Sequence, residues 1–537
     1  MWHRDSDRFR LFTRRALMLG AGKGLLLTGL AARMYYLQVL ESDRCRTRAD
    51  ENRISHRLLP PPRDRFGAQL AVNRQNYHIM IVREQTPDVR RTLEILNQII
   101  DLGPGIIERV ERDVAKRRSF VPVTVRDNLT WDEVARVGVN APDLPGLIID
   151  AGRSRDYPLG YVAAVSEKEL NGDPLLELPG FTIGKSGIEK VYDLALRGKA
   201  GTSQVEVNAL GRVIRELERE EGESGNTVVM TLDLELQRYA NQRLSRQESA
   251  SAVVMDIHNG EVLAMASHPA YDPNAFTTGI SHRLWNSLVN NPYSPLSNKA
   301  VNGTYAPGST FKMCVALAGL ESGIISADQR FFCNGHLDLG NARFHCWKRG
   351  GHGWVNMHNS LKHSCDVYYY EISQKIGIDR IAAMANKLGL GTETGIDLPN
   401  ERSGLIPTKD WKEIQLGKRW QGGETLIASI GQGYVLTTPL QLCTMTARIA
   451  SGKAVKPHLT RDHVAPDGIS SRQNEEFPDL QISRASLARV RDGMNGVSNE
   501  LHGTGYRARI DIKGMELAGK SGTSQVRRIT MRERQTT

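Results

Sequence analysis

The segment Ala16 to Leu40, ALMLGAGKGLLLTGLAARMYYLQVL, is apolar over 25 residues apart from Lys23, Arg33 and a few neutral polar residues. As a helix it rises about 37 Å, enough to cross a hydrocarbon core of roughly 30 Å. A chain tethered in this way must fold everything that follows on one side of a bilayer. Arg33 lies near the end of the run and can snorkel, and Lys23 lies seven residues from the cationic flank. A cleaved signal peptide is the alternative, and Arg14-Arg15 ahead of the run fits a twin-arginine export signal. The length of the run and the interfacial pair Tyr35-Tyr36 favour an uncleaved anchor. Charge does not orient it, because five arginines lie in residues 1–15 and five more in residues 44–57.

A length of 537 residues implies two to four domains at roughly 100–200 residues each. Apolar residues at 40%, charged residues at 24% and only 22 prolines argue for folded domains, and six cysteines are too few for a disulfide scaffold. The net charge of +10 is concentrated at the N-terminus, where residues 1–48 hold ten Lys/Arg against four Asp/Glu. No basic stripe interleaved with aromatics follows, so nucleic acid is not the expected partner.

Residues 41–225 read as an irregular α+β module. Leu93, Ile95, Leu96, Ile99 and Ile100 have helical spacing within Arg91 to Asp101, and Tyr77 to Val82 reads as a strand. The polar, acidic stretch Glu216 to Asn226 reads as a boundary, after which Thr227 to Met230 starts a new apolar run. Ser251 to Ile257 and Glu261 to Ala266 are strand-like and flank Asn259-Gly260, the dipeptide of a tight hairpin turn. Another strand is expected at Met515 to Ala518.

Between these strands, Tyr305-Ala306-Pro307-Gly308 is a turn followed by Ser309-Thr310-Phe311-Lys312 and an apolar stretch. This pattern places Ser309 at a helix start, with Lys312 three residues on and able to reach its hydroxyl. The helix N-terminus favours a developing alkoxide, and a lysine can take the serine proton once its own pKa is lowered. One Ser-x-x-Lys is expected by chance in a chain this long, as a capped surface helix. Ser364-Cys365-Asp366 and, after the expected strand, Lys520-Ser521-Gly522-Thr523 are the company that lifts it. A second hydroxyl can relay a proton. A strand bearing a cation, two hydroxyls and a glycine can receive an extended substrate by β-augmentation. Taken singly, Ser364 reads as a cap and Lys520 as a solvated charge.

Cys333, Cys346, His352 and Cys365 cluster around Ser364, with His345 competing as the nitrogen donor. Three thiolates and an imidazole are a tetrahedral structural zinc set; a Cys333–Cys346 disulfide or plain buried thiols are the other readings. Zinc here would pin Cys365, and with it Ser364 and Asp366, to the insertion before them. Cys45, Cys314 and Cys443 read as anchor-proximal or core residues.

The three motifs in this order resemble the penicillin-binding protein and serine β-lactamase superfamily, whose motifs are Ser-x-x-Lys, Ser-x-Asn and Lys-Thr/Ser-Gly. The apolar anchor, Gly184-Lys185-Ser186-Gly187-Ile188-Glu189-Lys190-Val191-Tyr192-Asp193, Ala270-Tyr271-Asp272-Pro273-Asn274, Asp366 and Ile430-Gly431-Gln432-Gly433 are similar to class B enzymes, closest to their elongation-specific group, penicillin-binding protein 2. The resemblance implies an α+β protein of four parts: a cytoplasmic tail (1–15), a single transmembrane helix (16–40), an elongated periplasmic pedestal of the dimerisation-domain kind (41–225) and a transpeptidase domain (226–537) built of an antiparallel sheet and a helical subdomain. It implies an inner-membrane protein with its catalytic domain in the periplasm.

By the same resemblance, Ser309 attacks the penultimate D-Ala carbonyl of a pentapeptide stem with Lys312 as general base. Ser364 shuttles the proton to the leaving D-Ala, and Lys520 with Thr523 holds the terminal carboxylate on the Ser521-Gly522-Thr523 edge. The oxyanion sits between the amides of Ser309 and Thr523, an amine from a neighbouring stem resolves the acyl-enzyme, and β-lactams acylate the same serine. Asp366 is expected to help bind substrate, and catalysis needs no cofactor. The implied partners are a SEDS-family glycosyltransferase and a periplasmic rod-complex scaffold protein. A D,D-carboxypeptidase or β-lactamase-type hydrolase would share all three motifs and use water as acceptor, so product analysis with an amine separates the two. A non-catalytic penicillin-binding scaffold or sensor would keep the fold and lose turnover. Two departures bear on this. Pro60 to Gly67 lacks several residues of the family's longer motif after the anchor. Only 14 residues follow Thr523, where the family continues with two strands and a long helix. The expectation is therefore a chain incomplete at its C-terminus, with the central sheet split.

Overall fold

The computed structural model describes residues 62–68, 70, 72–116, 123–156, 160, 162–170, 176, 182–197, 202–207, 213–220, 225–277, 280–464 and 476–524, together with Lys23, Thr28, Gly29, Leu30 and Ala32. The expected tail at 1–15, and the anchor at 16–40 apart from those five residues, lie outside the described residues. Among the described residues no helix is long and apolar enough to cross a membrane. The chain divides into two compact units, Met1–Pro60 with Ala163–Ile183 and Asp193–Asn226, and Pro61–Val162 with Gly184–Tyr192 and Thr227–Thr537.

In the larger unit, β1 (Val72–Ile81) is followed by helices α1 (Val89–Ile99) and α2 (Ile106–Lys116), β2 (Val123–Leu129), α3 (Trp131–Val139) and β3 (Leu147–Asp156). β1 lies between β2 and β3, antiparallel to both. Ile79 and Ile81 point to one face, as the two-residue period of a strand requires, and meet Leu93 and Leu96 of α1, Val110 of α2 and Val125 in one buried cluster. α1 starts where the Asp88 side chain accepts from the Arg91 amide, and α3 where Thr130 and Glu133 form a reciprocal capping box. The helix and strand expected here are present. The strand begins five residues earlier than its apolar run, because β3 pairs with it over its whole length.

The smaller unit contains the hairpin of β4 (Thr202–Val207) and β5 (Val213–Glu220). The acidic stretch read as a boundary from Glu216 thus begins inside a strand. Charge does not prevent pairing when each residue has an antiparallel partner, as in Glu206 opposite Arg215 and Val205 opposite Glu216.

In the larger unit again, β6 (Thr227–Met230) leads into α4 (Leu234–Leu244) and the antiparallel pair β7 (Ala250–Met255) and β8 (Val262–His268). The tight two-residue turn expected at Asn259-Gly260 is instead a wider loop closed by Asp256 and Glu261. Only Gly260 takes positive φ, at 77°, whereas the tight turn requires it at both positions. The His458 amide donates to the Gly260 carbonyl and the Val262 amide to the His458 carbonyl, so the end of the hairpin is drawn onto a neighbouring segment. Arg63 pairs with Val229, and Asp64 accepts from the Phe66 and Ala68 amides, so the Arg63-Asp64-Arg65 turn is built on β6. Buried Glu261 fastens it, pairing with Arg65 at 3.2 Å and with Arg461 at 3.3 Å.

The helical part includes α5 (Lys312–Glu321), α6 (Met357–Lys362), α7 (Asp366–Ile376), α8 (Ile378–Lys387), α9 (Pro439–Ser451) and α10 (Arg484–Asn499). α5 is buried on every side from Lys312 to Gly319, the signature of a helix at the centre of a core. Its neighbours in that core include Leu361, Tyr368, Tyr369, Ile372 and Met494.

The strand expected at Met515 to Ala518 is absent. Met515 is 65% exposed, and the segment hangs on α10 by two hydrogen bonds, from Asn499 Nδ2 to the Leu517 carbonyl and from the Gly519 amide to the Met494 carbonyl. A strand needs a paired edge, and among the described residues β7 and β8 pair only with each other.

α6 and α10 meet at Gly493, where a β-carbon would lie 2.5 Å from Leu361 Cδ1 and 2.9 Å from its Cβ. Replacing a helical glycine by alanine ordinarily stabilises by about 1 kcal/mol. Here overpacking of about 1–3 kcal/mol opposes that gain, so Gly493→Ala is expected to lower the urea midpoint of this unit; a raised midpoint would refute the close contact.

Candidate active site

Ser309 lies in a short 3-10 turn, Gly308–Phe311, that runs directly into α5, so the expected helix start is placed three residues early. Gly308 has φ of 58°, its amide donates to the Gly431 carbonyl at 2.9 Å, and a β-carbon there would overlap the Thr523 carbonyl oxygen. Glycine is required on both counts, for the left-handed backbone and for the close approach of two other chain segments. Ser309 itself is half-buried.

One turn later Lys312 is fully buried. Its Nζ donates to Asp366 Oδ1 at 2.7 Å, to the Ser364 carbonyl at 2.9 Å and to Ser364 Oγ at 3.2 Å. An ammonium has three N–H donors, and all three are engaged. The expected contact from Ser309 to Lys312 is therefore not made in this state: Nζ faces the second motif. Ser364 holds φ of 53°, uncommon for a residue with a side chain, and sits between α6 and α7. The Tyr369 ring lies 5.4 Å from the ammonium.

Asp366 opens α7, and both its oxygens face protein donors, Oδ1 the lysine and Oδ2 the Trp347 amide at 2.9 Å. Trp347 also donates through its indole to the His363 and Ser364 carbonyls. Sequence reasoning gave Trp347 no role; its backbone contact with the second motif carries no signal in a single sequence.

Lys520-Ser521-Gly522-Thr523 lies against the Ser309 turn. A β-carbon on Gly522 would fall 3.0 Å from the Pro307 carbonyl oxygen and 3.0 Å from Thr310 Cγ2. Gln432 Nε2 donates to the Thr523 carbonyl at 3.0 Å, and Ser521 Oγ lies 2.8 Å from Thr504 Oγ1. Gln432 was legible in the run Ile430-Gly431-Gln432-Gly433 that marks the resemblance, but without a role, and Thr504 not at all. Burial pulls the Lys520 ammonium down to about 7; the Lys312 charge pulls the same way and Asp366 opposes. Lys312, Ser364 and Asp366 thus touch directly, with Lys520 within electrostatic reach of them and the Gly522-Thr523 backbone against the nucleophile turn.

Cys333, Cys346, His352 and Cys365 place one ligand atom each within 4.8 Å of one another. His352 Nδ1 lies 3.6 Å from both Cys333 Sγ and Cys346 Sγ. At Zn–S of about 2.3 Å and Zn–N of about 2.0 Å, a tetrahedron has edges of about 3.5–3.8 Å, so the donor set fits zinc. All three cysteines are free thiols, so the Cys333–Cys346 disulfide is not formed. His352, and not His345 on the exposed end of its strand, supplies the nitrogen. His352 Nε2 is buried without a partner. Hydrogen bonds from Cys346 and then Cys365 hold the Cys333 thiol well below its usual range, and contacts with Cys333 first and then Cys346 push Cys365 up. The core reading holds for buried Cys314; Cys443 is half-buried.

Residues 250–535 match the family model described as penicillin binding protein transpeptidase domain, and residues 62–230 match the penicillin-binding protein dimerisation domain. The chain is 38% identical to the peptidoglycan D,D-transpeptidase MrdA of Escherichia coli K12, over 96% of this chain and 84% of that protein. It is 35% identical to MrdA of Acinetobacter baumannii, over 95% and 78%. Among solved structures, the complex of penicillin-binding protein 2 with MreC from Helicobacter pylori matches with a TM-score of 0.76 at 31% identity, covering 87% of this chain and 89% of that one. With a family model matched over more than half of its length and relatives at 35–38% identity, the chain belongs to the penicillin-binding protein transpeptidase family.

Proposed function

We propose that this chain is a peptidoglycan D,D-transpeptidase of the elongation-specific kind, cross-linking stem peptides through an acyl-enzyme on Ser309. The contact of Lys312 with Ser364 and Asp366, one turn from Ser309, carries the reading. Lys312 acts as base in its neutral amine form: the lone pair takes the Ser309 proton as Oγ bonds to the penultimate D-Ala carbonyl carbon, and the ammonium so formed hands a proton on to Ser364. Ser364 Oγ, 3.2 Å from Nζ, passes a proton to the departing D-Ala amine as the peptide bond breaks. Lys520 and Thr523 hold the terminal carboxylate, and Ser521 and Gly522 form the edge beside it. The amides of Ser309 and Thr523 receive the oxyanion, each such donor being worth about 3 kcal/mol. A neighbouring stem's amine then attacks the acyl carbon, giving up a proton to Lys312 as the new amide bond forms, and the ester bond breaks as Lys312 returns that proton to Ser309 Oγ. Asp366, with both oxygens committed, acts by holding Lys312.

Transfer to an amine is favoured over hydrolysis by the likeness to the MrdA relatives, which are D,D-transpeptidases by name. These steps use side chains and backbone amides of this chain together with the two stems, and a structural zinc on Cys333, Cys346, His352 and Cys365 would hold the turn bearing Ser364 to the insertion before it. The parts are a cytoplasmic tail at 1–15, an inner-membrane anchor at 16–40, a periplasmic pedestal at 41–225 and the transpeptidase domain from 226. A scaffold of the MreC kind and a SEDS-family glycosyltransferase are the proposed partners, by analogy with the Helicobacter pylori complex and with a solved peptidoglycan synthase complex.

Intact mass after incubation with benzylpenicillin is expected to rise by one penicillin, and not in Ser309→Ala; equal labelling of that variant would move the nucleophile elsewhere. The second-order acylation constant by this carboxylate-bearing ligand should fall as pH rises through about 7, because Lys520 is charged below that value and neutral above it. Lys520→Arg should remove the decline, and an identical profile in that variant would exclude Lys520 as its source. Metal analysis is expected to find about one zinc per chain. Cys346→Ser should lower both the metal content and the melting temperature, and metal-free protein melting at the same temperature would refute the zinc.

A further inference from the structure

Just before the second motif, four charged side chains join α6 to α10. His358 Nδ1 lies 2.7 Å from Asp492 Oδ2, and its Nε2 lies 2.9 Å from Glu500 Oε1. Lys362, one turn along α6, donates to the other Glu500 oxygen at 2.6 Å. An ionised carboxylate only accepts, so Nδ1 carries the proton in the contact with Asp492. Gly496 makes room for the ring: a β-carbon there would lie 2.9 Å from His358 Nε2. Glu500 is the C-cap of α10, where a carboxylate meets the negative end of the helix dipole and is disfavoured unless cations face it. The Lys362 hydrogen bond, against burial and with help from the His358 charge, holds its carboxyl below the usual range.

These groups are connected to both the second and the third motif. Ser364 follows Lys362 by two residues, and the Lys362 carbonyl accepts from the Thr504 amide at 3.2 Å. The Glu500 carbonyl accepts from the Gly503 amide, and Thr504 Oγ1 lies 2.8 Å from Ser521 Oγ. Glu500 therefore starts a turn that touches the second motif through Lys362 and the third through Ser521. An exposed ion pair is worth about 1 kcal/mol or less as stability, so the arrangement matters more for geometry than for folding.

We propose that Lys362 and Glu500, oriented by His358, are positioning residues that set the spacing between Ser364 and the Lys520-Ser521 segment. The inference rests on the proton-shuttle role given to Ser364 above. The full chain is acylated with benzylpenicillin, separating the rate at saturation from the apparent dissociation constant, and melting is followed in parallel. Glu500→Gln and Lys362→Met are expected to slow saturated acylation about tenfold, with the dissociation constant changed by about twofold or less and the melting curve nearly unchanged, because misplacing reacting groups costs rate before it costs fold. Lys362→Arg, which keeps the charge, should restore most of the rate. A saturated rate equal to that of the unaltered chain, or a loss no larger than the unfolded fraction, overturns the proposal. Ser364→Ala is measured alongside. If it leaves the rate unchanged, the shuttle role falls and takes this proposal with it; if it slows acylation while Glu500→Gln does not, this proposal alone falls.

Discussion

The ammonium of Lys312 is fully enclosed, and an enclosed charge costs several kcal/mol unless it is paired and hydrogen-bonded. Much of the catalytic half of the molecule can be understood as the answer to that cost. α5 is buried all round so that its first residue points into the core. Ser364 takes a left-handed backbone, which lets its carbonyl and its hydroxyl face the same nitrogen. Asp366 supplies the compensating charge, and the Trp347 amide satisfies the oxygen left over. The groups that make the lysine tolerable are the groups that would handle its proton.

Two kinds of restraint hold this arrangement. Around Ser309 it is backbone against backbone, at Gly308, Gly431 and Thr523, where no side chain intervenes. Around Ser364 it is side-chain chemistry: the Cys/His cluster on one flank through Cys365, and the Glu500 ion pairs on the other through Lys362. The first kind is stiff by exclusion of volume. The second depends on ionisation and on whatever ligand the thiols hold.

Much of the site was legible in the sequence because its residues come in short runs. Ser309 to Lys312 share one turn, Ser364 to Asp366 are contiguous, and Lys520 to Thr523 form a single strip. Periodicity likewise located α1 and the strand at Ile79 and Ile81, whose burial follows their spacing. What stayed hidden depends on contacts distant in sequence. The direction of Lys312 Nζ is set by acceptors over fifty residues away, and Thr504 meets Ser521 only because α10 turns back at Glu500. The Asn259-Gly260 signal was local and correct for a turn, but His458 widened it. Met515 to Ala518 had the composition of a strand, but among the described residues no strand pairs with it. Strand formation is a property of two segments, and a single sequence shows one at a time.

The stacking of Gly308, Gly431 and the Thr523 carbonyl has a consequence for how such a protein could change over generations. Where three main chains touch, substitution has nothing to vary: any β-carbon collides with backbone, and backbone cannot rotate away. Selection for a cleft that admits one acyl donor and refuses another would therefore be channelled elsewhere, toward positions whose side chains border the cleft without separating its walls. Trp347, 60% exposed above the second motif, and Ser521, on the open side of the third, are such positions. The innermost ring of contacts admits no substitution at its glycines, and the rim is where heritable variation in substrate choice could accumulate.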